Sequence, residues 1–266
     1  MAPRAPVVPL AVEVDWHPGG EADIAVVCLP GRGDRMDVFV RRGLAADFRE
    51  AGLAADFYLV DAHLGYYVSE TLGERMREDV LPRVADGYRE VWVVAASLGA
   101  LGAVLLEADS PGRWDRMILL GPYVGDDAAF FAEARLDTAG SGPLPPDLEP
   151  EHIRRFWDWF LDDAPYPDGR PEVWASWGER DRFAAFQDRL LPHLDRETTA
   201  VVDGGHNWRT WRAGWKELLR RSDLFFGSLS RPGPVGGGLP EPSRQLRTPR
   251  SPPRAVARGA AGSGDR

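Results

Sequence analysis

The sequence predicts an α/β fold in which a mostly parallel central sheet is flanked by helices and carries a short helical lid insertion. Short apolar and β-branched runs alternate with longer segments of helical periodicity, which is the pattern that strand-helix-strand units produce. Several runs are apolar without interruption, as expected for strands buried on both faces. With 266 residues, 44% of them apolar and 27% charged, the chain is long enough for one domain with a sizeable core.

The predicted elements follow from these two periodicities. The strand candidates are short, apolar or β-branched segments at residues 22–29, 56–61, 91–96, 116–120, 172–176 and 198–202. An earlier run at 12–16 is expected to add an antiparallel edge strand. The helix candidates have apolar residues at helical spacing and occupy residues 38–50, 69–88, 98–107, 182–194 and 209–224.

Residues 124–171 interrupt the alternation and are expected to form the lid, between two core strands. After a Gly- and Pro-rich stretch at 140–150, apolar residues recur on one face of a helix: Ile153, Phe156, Trp157, Phe160 and Leu161. Phe156 and Trp157 are therefore candidates for substrate binding in an apolar pocket. The same stripe is also predicted if this helix simply packs on the body of the domain.

The end of the chain differs in composition from the rest. Residues 228–266 contain 7 Gly, 7 Pro, 5 Ser and no aromatic residue, so they cannot bury enough apolar surface to offset the entropy of folding. We expect a disordered tail there and a single domain over residues 1–227. The tail has seven arginines and two acidic residues, so the other 227 residues carry a net charge of −14. A body this acidic repels phosphate backbones and argues against nucleic-acid binding.

Composition excludes several further classes of protein. Cys28 is the single cysteine, so the chain cannot form an internal disulfide, and its 5 histidines are too scattered for a structural zinc site. No run of about 18 apolar residues is present, and proline and acidic residues interrupt the first 20 residues. The sequence therefore predicts a cytoplasmic protein with no membrane span and no metal.

Ser97 lies where a predicted strand turns directly into a predicted helix. The sequence there is Ala95-Ala96-Ser97-Leu98-Gly99. A serine nucleophile on such a sharp turn requires small residues two positions before and two positions after it, because larger side chains would collide with nearby backbone. Ala95 and Gly99 meet this requirement, although glycine is usual at the position of Ala95. Small residues around a serine also occur at helix N-caps, so the turn alone does not identify a nucleophile.

An acid and a histidine follow the next predicted strands. Asp181 lies in the loop after 172–176, and His206 lies in the glycine-containing loop after 198–202. Ser97, Asp181 and His206 thus occur in this chain order, each at the end of a predicted strand. A serine hydroxyl is a weak nucleophile at neutral pH, a histidine can remove its proton, and a carboxylate can hold the imidazole in the required tautomer.

In these motifs the sequence resembles the α/β-hydrolase family over roughly residues 22–226. The resemblance implies that Ser97 is the nucleophile, that His206 is the general base and acid, and that Asp181 orients the imidazole. It implies a small-molecule acyl substrate, a carboxylic ester or thioester, cleaved through an acyl-enzyme intermediate with no cofactor. Asp126 or Asp127, which follow strand 116–120, are alternative candidates for the acid.

A second motif extends the resemblance. Leu29-Pro30-Gly31-Arg32-Gly33-Asp34 resembles the His-Gly-X-Gly-Asp loop of carboxylesterases and acyl thioesterases, with Pro30 in place of the histidine. Carried over, the motif implies that the backbone N–H groups of Arg32 and Leu98 form the oxyanion hole. The segment His206-Asn207-Trp208 resembles the His-X-Trp endings of the esterase and mycolyltransferase branch.

Two further aromatic residues are substrate-binding candidates. Trp208 follows the candidate histidine, and Tyr66 follows strand 56–61 at the edge that also carries Ser97. Two other functions are compatible with the same residues. One is acyl transfer to an alcohol by the same triad, and the other is a catalytically inactive α/β-hydrolase fold that serves as a binding protein. The sequence leaves the acyl chain and the oligomeric state open.

Overall fold

The computed structural model describes residues 4–84, 87–125, 151–162 and 169–221. Its centre is a seven-stranded sheet with the order β1-β3-β2-β4-β5-β6-β7. The strands are β1 (Val12–Asp15), β2 (Ile24–Leu29), β3 (Ala55–Val60), β4 (Glu90–Ala96), β5 (Arg116–Leu120), β6 (Glu172–Gly178) and β7 (Thr199–Val202). Strand β1 pairs antiparallel with β3, and every other neighbouring pair is parallel. The predicted fold class is therefore confirmed.

Helices connect the strands and cover both faces of the sheet. They are α1 (Val38–Arg41), α2 (Leu44–Glu50), α3 (Leu64–Val68), α4 (Leu72–Arg75), α5 (Leu81–Val84), α6 (Leu98–Asp109), α7 (Glu151–Leu161), α8 (Ala184–Gln187) and α9 (Trp208–Arg220). A π-helical turn occupies Met76–Val80, and a 3-10 helix occupies Asp188–His193. No helix within the described ranges is both long enough and apolar enough to cross a membrane.

The sheet separates two hydrophobic cores. All six residues of β2 are buried, and they alternate between the two clusters because successive side chains of a strand point to opposite faces. Ala25, Val27 and Leu29 belong to the core that contains α6. Ile24, Val26 and Cys28 belong to the core that contains α2 and α9. Burial on both faces explains why the central strands are apolar without interruption.

Three predicted helices are interrupted in the structure. Segment 38–50 divides into α1 and α2 at Gly43, whose φ of 79° is left-handed. Segment 69–88 contains α4, the π-helical turn and α5. Its Pro82 has no N–H to donate to the carbonyl four residues earlier. Segment 182–194 contains only the short α8 and the 3-10 helix, which includes Pro192. Helical periodicity alone therefore predicted helices that are too long and too regular.

Helix α7 is built into the core on the α6 side of the sheet. Phe156 and Trp157 are 0% exposed and belong to the same cluster as the buried residues of α6. The indole N–H of Trp157 donates to the carbonyl of Val124 at 2.8 Å. Both side chains are thus enclosed by protein in this structure, and the apolar stripe of α7 packs the helix on the body of the domain. Residues 126–150 and 163–168 of the expected lid lie outside the described residues, as does the expected tail at 228–266.

Replacing Trp157 tests whether α7 is part of the core. We expect Trp157→Ala to lower the free energy of unfolding by about 3–5 kcal/mol, because it removes a fully buried aromatic side chain and leaves a cavity. Denaturant titration followed by circular dichroism measures the change. Trp16→Ala is the matched control: Trp16 is 53% exposed, so we expect its free energy of unfolding to fall by less than about 1 kcal/mol. Equal stability of wild type and Trp157→Ala would contradict the assignment of α7 to the core.

Candidate active site

Ser97 lies on the turn between β4 and α6 with a backbone conformation that is rare for a non-glycine residue. Its φ is 49° and its ψ is −113°. The turn is held from both sides: the N–H of Ser97 donates to Leu120 at 2.9 Å, and its carbonyl accepts from Ala100 at 3.0 Å and Tyr123 at 3.1 Å. Such a conformation costs roughly 1–3 kcal/mol and persists only where surrounding contacts enforce it.

The small residue after Ser97 is required by a close approach of two backbones. A Cβ atom at Gly99 would lie 2.1 Å from the carbonyl oxygen of Leu29 and 2.9 Å from that of Pro30. The first turn of α6 is therefore packed directly against the end of β2. Ala95, the small residue on the other side, is fully buried. The contact brings the Pro30 loop to the serine.

Ser97, His206 and Asp181 form a continuous chain of hydrogen bonds. The Oγ of Ser97 lies 2.9 Å from Nε2 of His206. Nδ1 of His206 lies 2.8 Å and 3.0 Å from the two carboxylate oxygens of Asp181. A carboxylate accepts hydrogen bonds, so this network assigns the imidazole proton to Nδ1 and leaves Nε2 free to accept from the serine hydroxyl.

The carboxylate of Asp181 is buried and held by hydrogen-bond donors. Its side chain is 0% exposed, and that of His206 is 11% exposed. The carboxylate also accepts from the backbone N–H of Phe183 at 3.0 Å. A buried carboxylate needs such donors to offset the loss of water. The acid is therefore sequestered from solvent while the histidine reaches the surface of the site.

The acid loop and the histidine loop are joined through their backbones. The N–H of Arg180 donates to the carbonyl of Gly204 at 2.8 Å. A Cβ atom at Gly178 would lie 2.3 Å from that same carbonyl oxygen, so glycine is required for the contact. After the histidine, the side chain of Asn207 caps α9 by accepting from two N–H groups of its first turn. These contacts fix the separation between Asp181 and His206.

Aromatic rings hold the imidazole of His206 from two sides. Phe183 and Trp211 meet it edge to face, with centroid distances of 5.0 Å and 4.8 Å. Trp211 in turn lies over Gly121, where a Cβ atom would be 2.1 Å from the indole nitrogen. Phe183, Trp211 and Gly121 were not among the residues predicted for the site. A usable signal was present, since the aromatic residues lie two positions after the acid and within the helix that follows the histidine.

The segment expected to form the oxyanion hole lies next to the serine. A Cβ atom at Gly31 would be 3.5 Å from the Cβ of Ser97. Within the described residues, the N–H groups of Arg32 and Leu98 donate to no protein acceptor. Leu98 is the first residue of α6, so its N–H lies at the positive end of the helix dipole. Both amides are thus available to an anionic ligand.

The remaining candidate residues have other contacts. Trp208 is 8% exposed, and its indole N–H donates to Asp34 at 3.0 Å. Tyr66 is 1% exposed, and its hydroxyl donates to the carbonyl of Val7 and accepts from the N–H of Val7. Asp126 and Asp127 lie outside the described residues. Among the residues that are described, no cluster of three or more His, Cys, Asp or Glu side chains is placed to hold a metal.

Comparisons with solved structures identify the fold. A ferulic acid esterase matches with a TM-score of 0.55 and 14% identity, over 84% of this chain and 96% of that one. The peroxisomal alpha-beta-hydrolase Lpx1 from Saccharomyces cerevisiae matches with a TM-score of 0.53 and 14% identity, over 88% and 85%. A hypothetical protein from Pseudomonas aeruginosa matches with a TM-score of 0.52 and 18% identity, over 85% and 100%. This chain has the α/β-hydrolase fold.

The identification rests on structure rather than on sequence similarity. No protein-family model matches the sequence, and no curated protein matches it at a significant level. The α/β-hydrolase fold accounts for the position of the site, because parallel strands β2, β4, β6 and β7 bring their carboxyl ends to one edge of the sheet. Ser97, Asp181 and His206 follow three of these strands.

The glycine at the serine turn gives a test of this local geometry. We expect Gly99→Ala to destabilise the protein by about 1–3 kcal/mol, because the new methyl group would collide with the carbonyl of Leu29. Gly73→Ala in α4 is the control: its methyl group would meet the flexible end of Arg77 at 3.3 Å and the carboxylate of Asp109 at 3.8 Å, and no described backbone atom outside its own helix within 4 Å. Alanine is the better helix former, so this variant should be as stable as wild type or up to about 1 kcal/mol more stable. Thermal unfolding of both variants measures their changes in stability, which should have opposite signs.

Proposed function

We propose that the protein is a serine hydrolase that cleaves a carboxylic ester or thioester of a small molecule through an acyl-enzyme intermediate. The observation that carries the proposal is the hydrogen-bonded chain from Asp181 through His206 to Ser97. One structural neighbour is named as a ferulic acid esterase, which supports ester chemistry on this fold. Fold alone does not determine function, so the proposal depends on the geometry of the site.

In the first step, Nε2 of His206 removes the proton of the Ser97 hydroxyl as Oγ attacks the acyl carbon. The carbonyl oxygen becomes an oxyanion, and the amides of Arg32 and Leu98 stabilise it. Donors of this kind contribute about 3 kcal/mol each to stabilising the transition state. The imidazolium that forms is stabilised by the buried carboxylate of Asp181, which keeps its negative charge throughout.

Collapse of this intermediate breaks the bond between the acyl carbon and the leaving oxygen or sulfur. The proton on Nε2 of His206 goes to the leaving group, and the acyl group stays on Ser97. A water molecule then gives a proton to His206 and attacks the acyl carbon, and the same proton returns to Oγ of Ser97. The products are an acid and an alcohol or thiol. Each step uses only groups of this chain and water.

Two other functions share the site and give different outcomes. An acyltransferase would pass the acyl group from Ser97 to an alcohol at low alcohol concentration, so an ester would replace the acid as product. An inactive binding protein would react with no serine-directed reagent. Two amides beside Ser97 donate to no described protein acceptor, and Nε2 of His206 lies 2.9 Å from Oγ of Ser97, so the site favours an active enzyme over an inactive binding protein. Tyr66, Phe156, Trp157 and Trp208 remain predictions as substrate-binding residues.

Covalent labelling tests the nucleophile directly. We expect a fluorophosphonate probe to add one adduct to the wild type by intact mass and none to Ser97→Ala, which lacks the attacking oxygen. The variant should also lose ester hydrolysis while its melting temperature stays close to that of wild type. A folded wild type that resists the probe would contradict the proposal. A large loss of stability in the variant would instead show that Ser97 has a structural role.

Parallel substitutions distinguish the candidate acids. We expect Asp181→Asn to lower kcat by about 10⁴-fold, because an amide no longer holds the imidazole in the required tautomer. Asp127→Asn, the matched control, should leave kcat within about twofold of wild type. Steady-state hydrolysis of p-nitrophenyl acetate measures both. The reverse order of effects would transfer the role of acid to Asp127.

A further inference from the structure

We propose that Asp34 is a positioning residue for the oxyanion hole: its hydrogen bond with Trp208 joins the Arg32 loop to the helix that follows His206. The inference rests on the proposed hydrolase function. Neither residue touches the reacting atoms in this scheme. Their role is to hold the Arg32 amide at a fixed distance from Oγ of Ser97.

The first support is the geometry of the Arg32 loop. The N–H of Asp34 donates to the carbonyl of Gly31 at 3.1 Å, which closes a turn with Arg32 in the middle. Gly33 has a left-handed φ of 83° and completes the turn. The Gly31 end of this turn lies beside Ser97, as its Cβ distance shows. The carboxylate of Asp34 folds back over this turn, since its Oδ2 would lie 3.0 Å from a Cβ atom at Gly31. A hydrogen bond that anchors the carboxylate therefore orients the whole turn.

The second support is the position of the partner. Trp208 is the first residue of α9 and follows His206 by two residues. Its ring packs edge to face on Phe39 at 5.3 Å and on Trp211 at 5.1 Å. Trp211 is the ring that packs on His206. The indole N–H that donates to Asp34 thus belongs to the aromatic cluster that packs on His206.

The third support is the electrostatic environment of Asp34. Burial raises the pKa of its carboxyl group even though hydrogen bonds from Trp208 and from the backbone of Gly31 oppose this shift. Arg41 and Arg42 favour the ionised form only as more distant charges. A partly buried carboxylate is costly unless it is well hydrogen-bonded. By contrast, Asp37 in the same connection pairs at the surface with Arg41 at 3.0 Å. Asp34 is therefore turned inward, where it serves the loop rather than a surface ion pair.

The experiment compares three variants by steady-state kinetics on p-nitrophenyl butyrate. We expect Asp34→Ala and Trp208→Phe each to lower kcat by about 10- to 100-fold, the scale of effect that a small misplacement of a catalytic group produces. KM should stay within about twofold. Asp34→Asn should retain kcat within about threefold, because its amide oxygen can still accept from the indole. The double variant Asp34→Ala/Trp208→Phe should be no slower than the slower single variant.

A control removes a different link to the same helix. The carboxylate of Asp47 in α2 binds Arg212 of α9 at 3.0 Å through two hydrogen bonds and has no contact with the Arg32 loop. We expect Asp47→Ala to lower the melting temperature but to leave kcat within about twofold of wild type. This separates a general weakening of α9 from a loss of alignment at the oxyanion hole.

The outcomes distinguish the inference from the function on which it rests. Suppose that the wild type hydrolyses esters and is labelled by the probe. An Asp34→Ala variant with the same kcat as the wild type would then overturn the positioning role alone. Losses of activity that follow melting temperature across Asp34→Ala, Asp34→Asn and Asp47→Ala would also overturn it, because they indicate a structural role only. Trp208→Phe gives the test if Asp34→Ala does not fold. A wild type that neither hydrolyses esters nor reacts with a fluorophosphonate would overturn both proposals.

Discussion

The left-handed turn at Ser97 is the constraint on which the rest of the site depends. Its unfavourable backbone is maintained because Leu120 and Tyr123 bind it on one side and the end of β2 packs against Gly99 on the other. The strain is offset only if β2, β4 and β5 are rigid. The buried, parallel centre of the sheet supplies that rigidity, since its strands are packed on both faces.

The polar residues at the amino ends of the strands have a different role from those at the carboxyl ends. At the amino-terminal edge, Arg116 lies over the rings of Trp92 and Trp174 at 4.3 Å and 5.6 Å and binds Glu172 at 2.7 Å. This set ties β4, β5 and β6 together across the register of the sheet. At the carboxyl ends of the strands, the loops instead bring together Ser97, His206 and the amides of the predicted oxyanion hole. The strand ends opposite the candidate site are thus joined by an ion pair and by cation–π contacts.

Much of the fold and the order of the candidate residues could be predicted because they depend on local pattern. Strand 116–120 coincides with β5, and the antiparallel edge strand lies where its composition suggested. Ser97, Asp181 and His206 each follow a predicted strand, and the carboxyl ends of parallel strands meet at one edge of a sheet. What failed depends on contacts between distant segments. Helical periodicity does not show that Gly43 divides a helix. The stripe that contains Trp157 fitted both a lid helix and a helix packed on the body, and only the fold shows Trp157 in the core with α6.

The support of the site is the part that sequence reasoning could least reach, and the reason is physical. Asp34 and Trp208 are separated by most of the domain along the chain, yet they meet because β2 and α9 bring their loops to one edge. In the sequence, Asp34 is an acidic residue in a loop and Trp208 is an aromatic residue at the start of a helix, and neither pattern indicates their contact. The triad requires groups with particular chemistry, which a motif can show. Its alignment requires distances among β2, β4, β6, β7 and α9, and only the packed fold determines those.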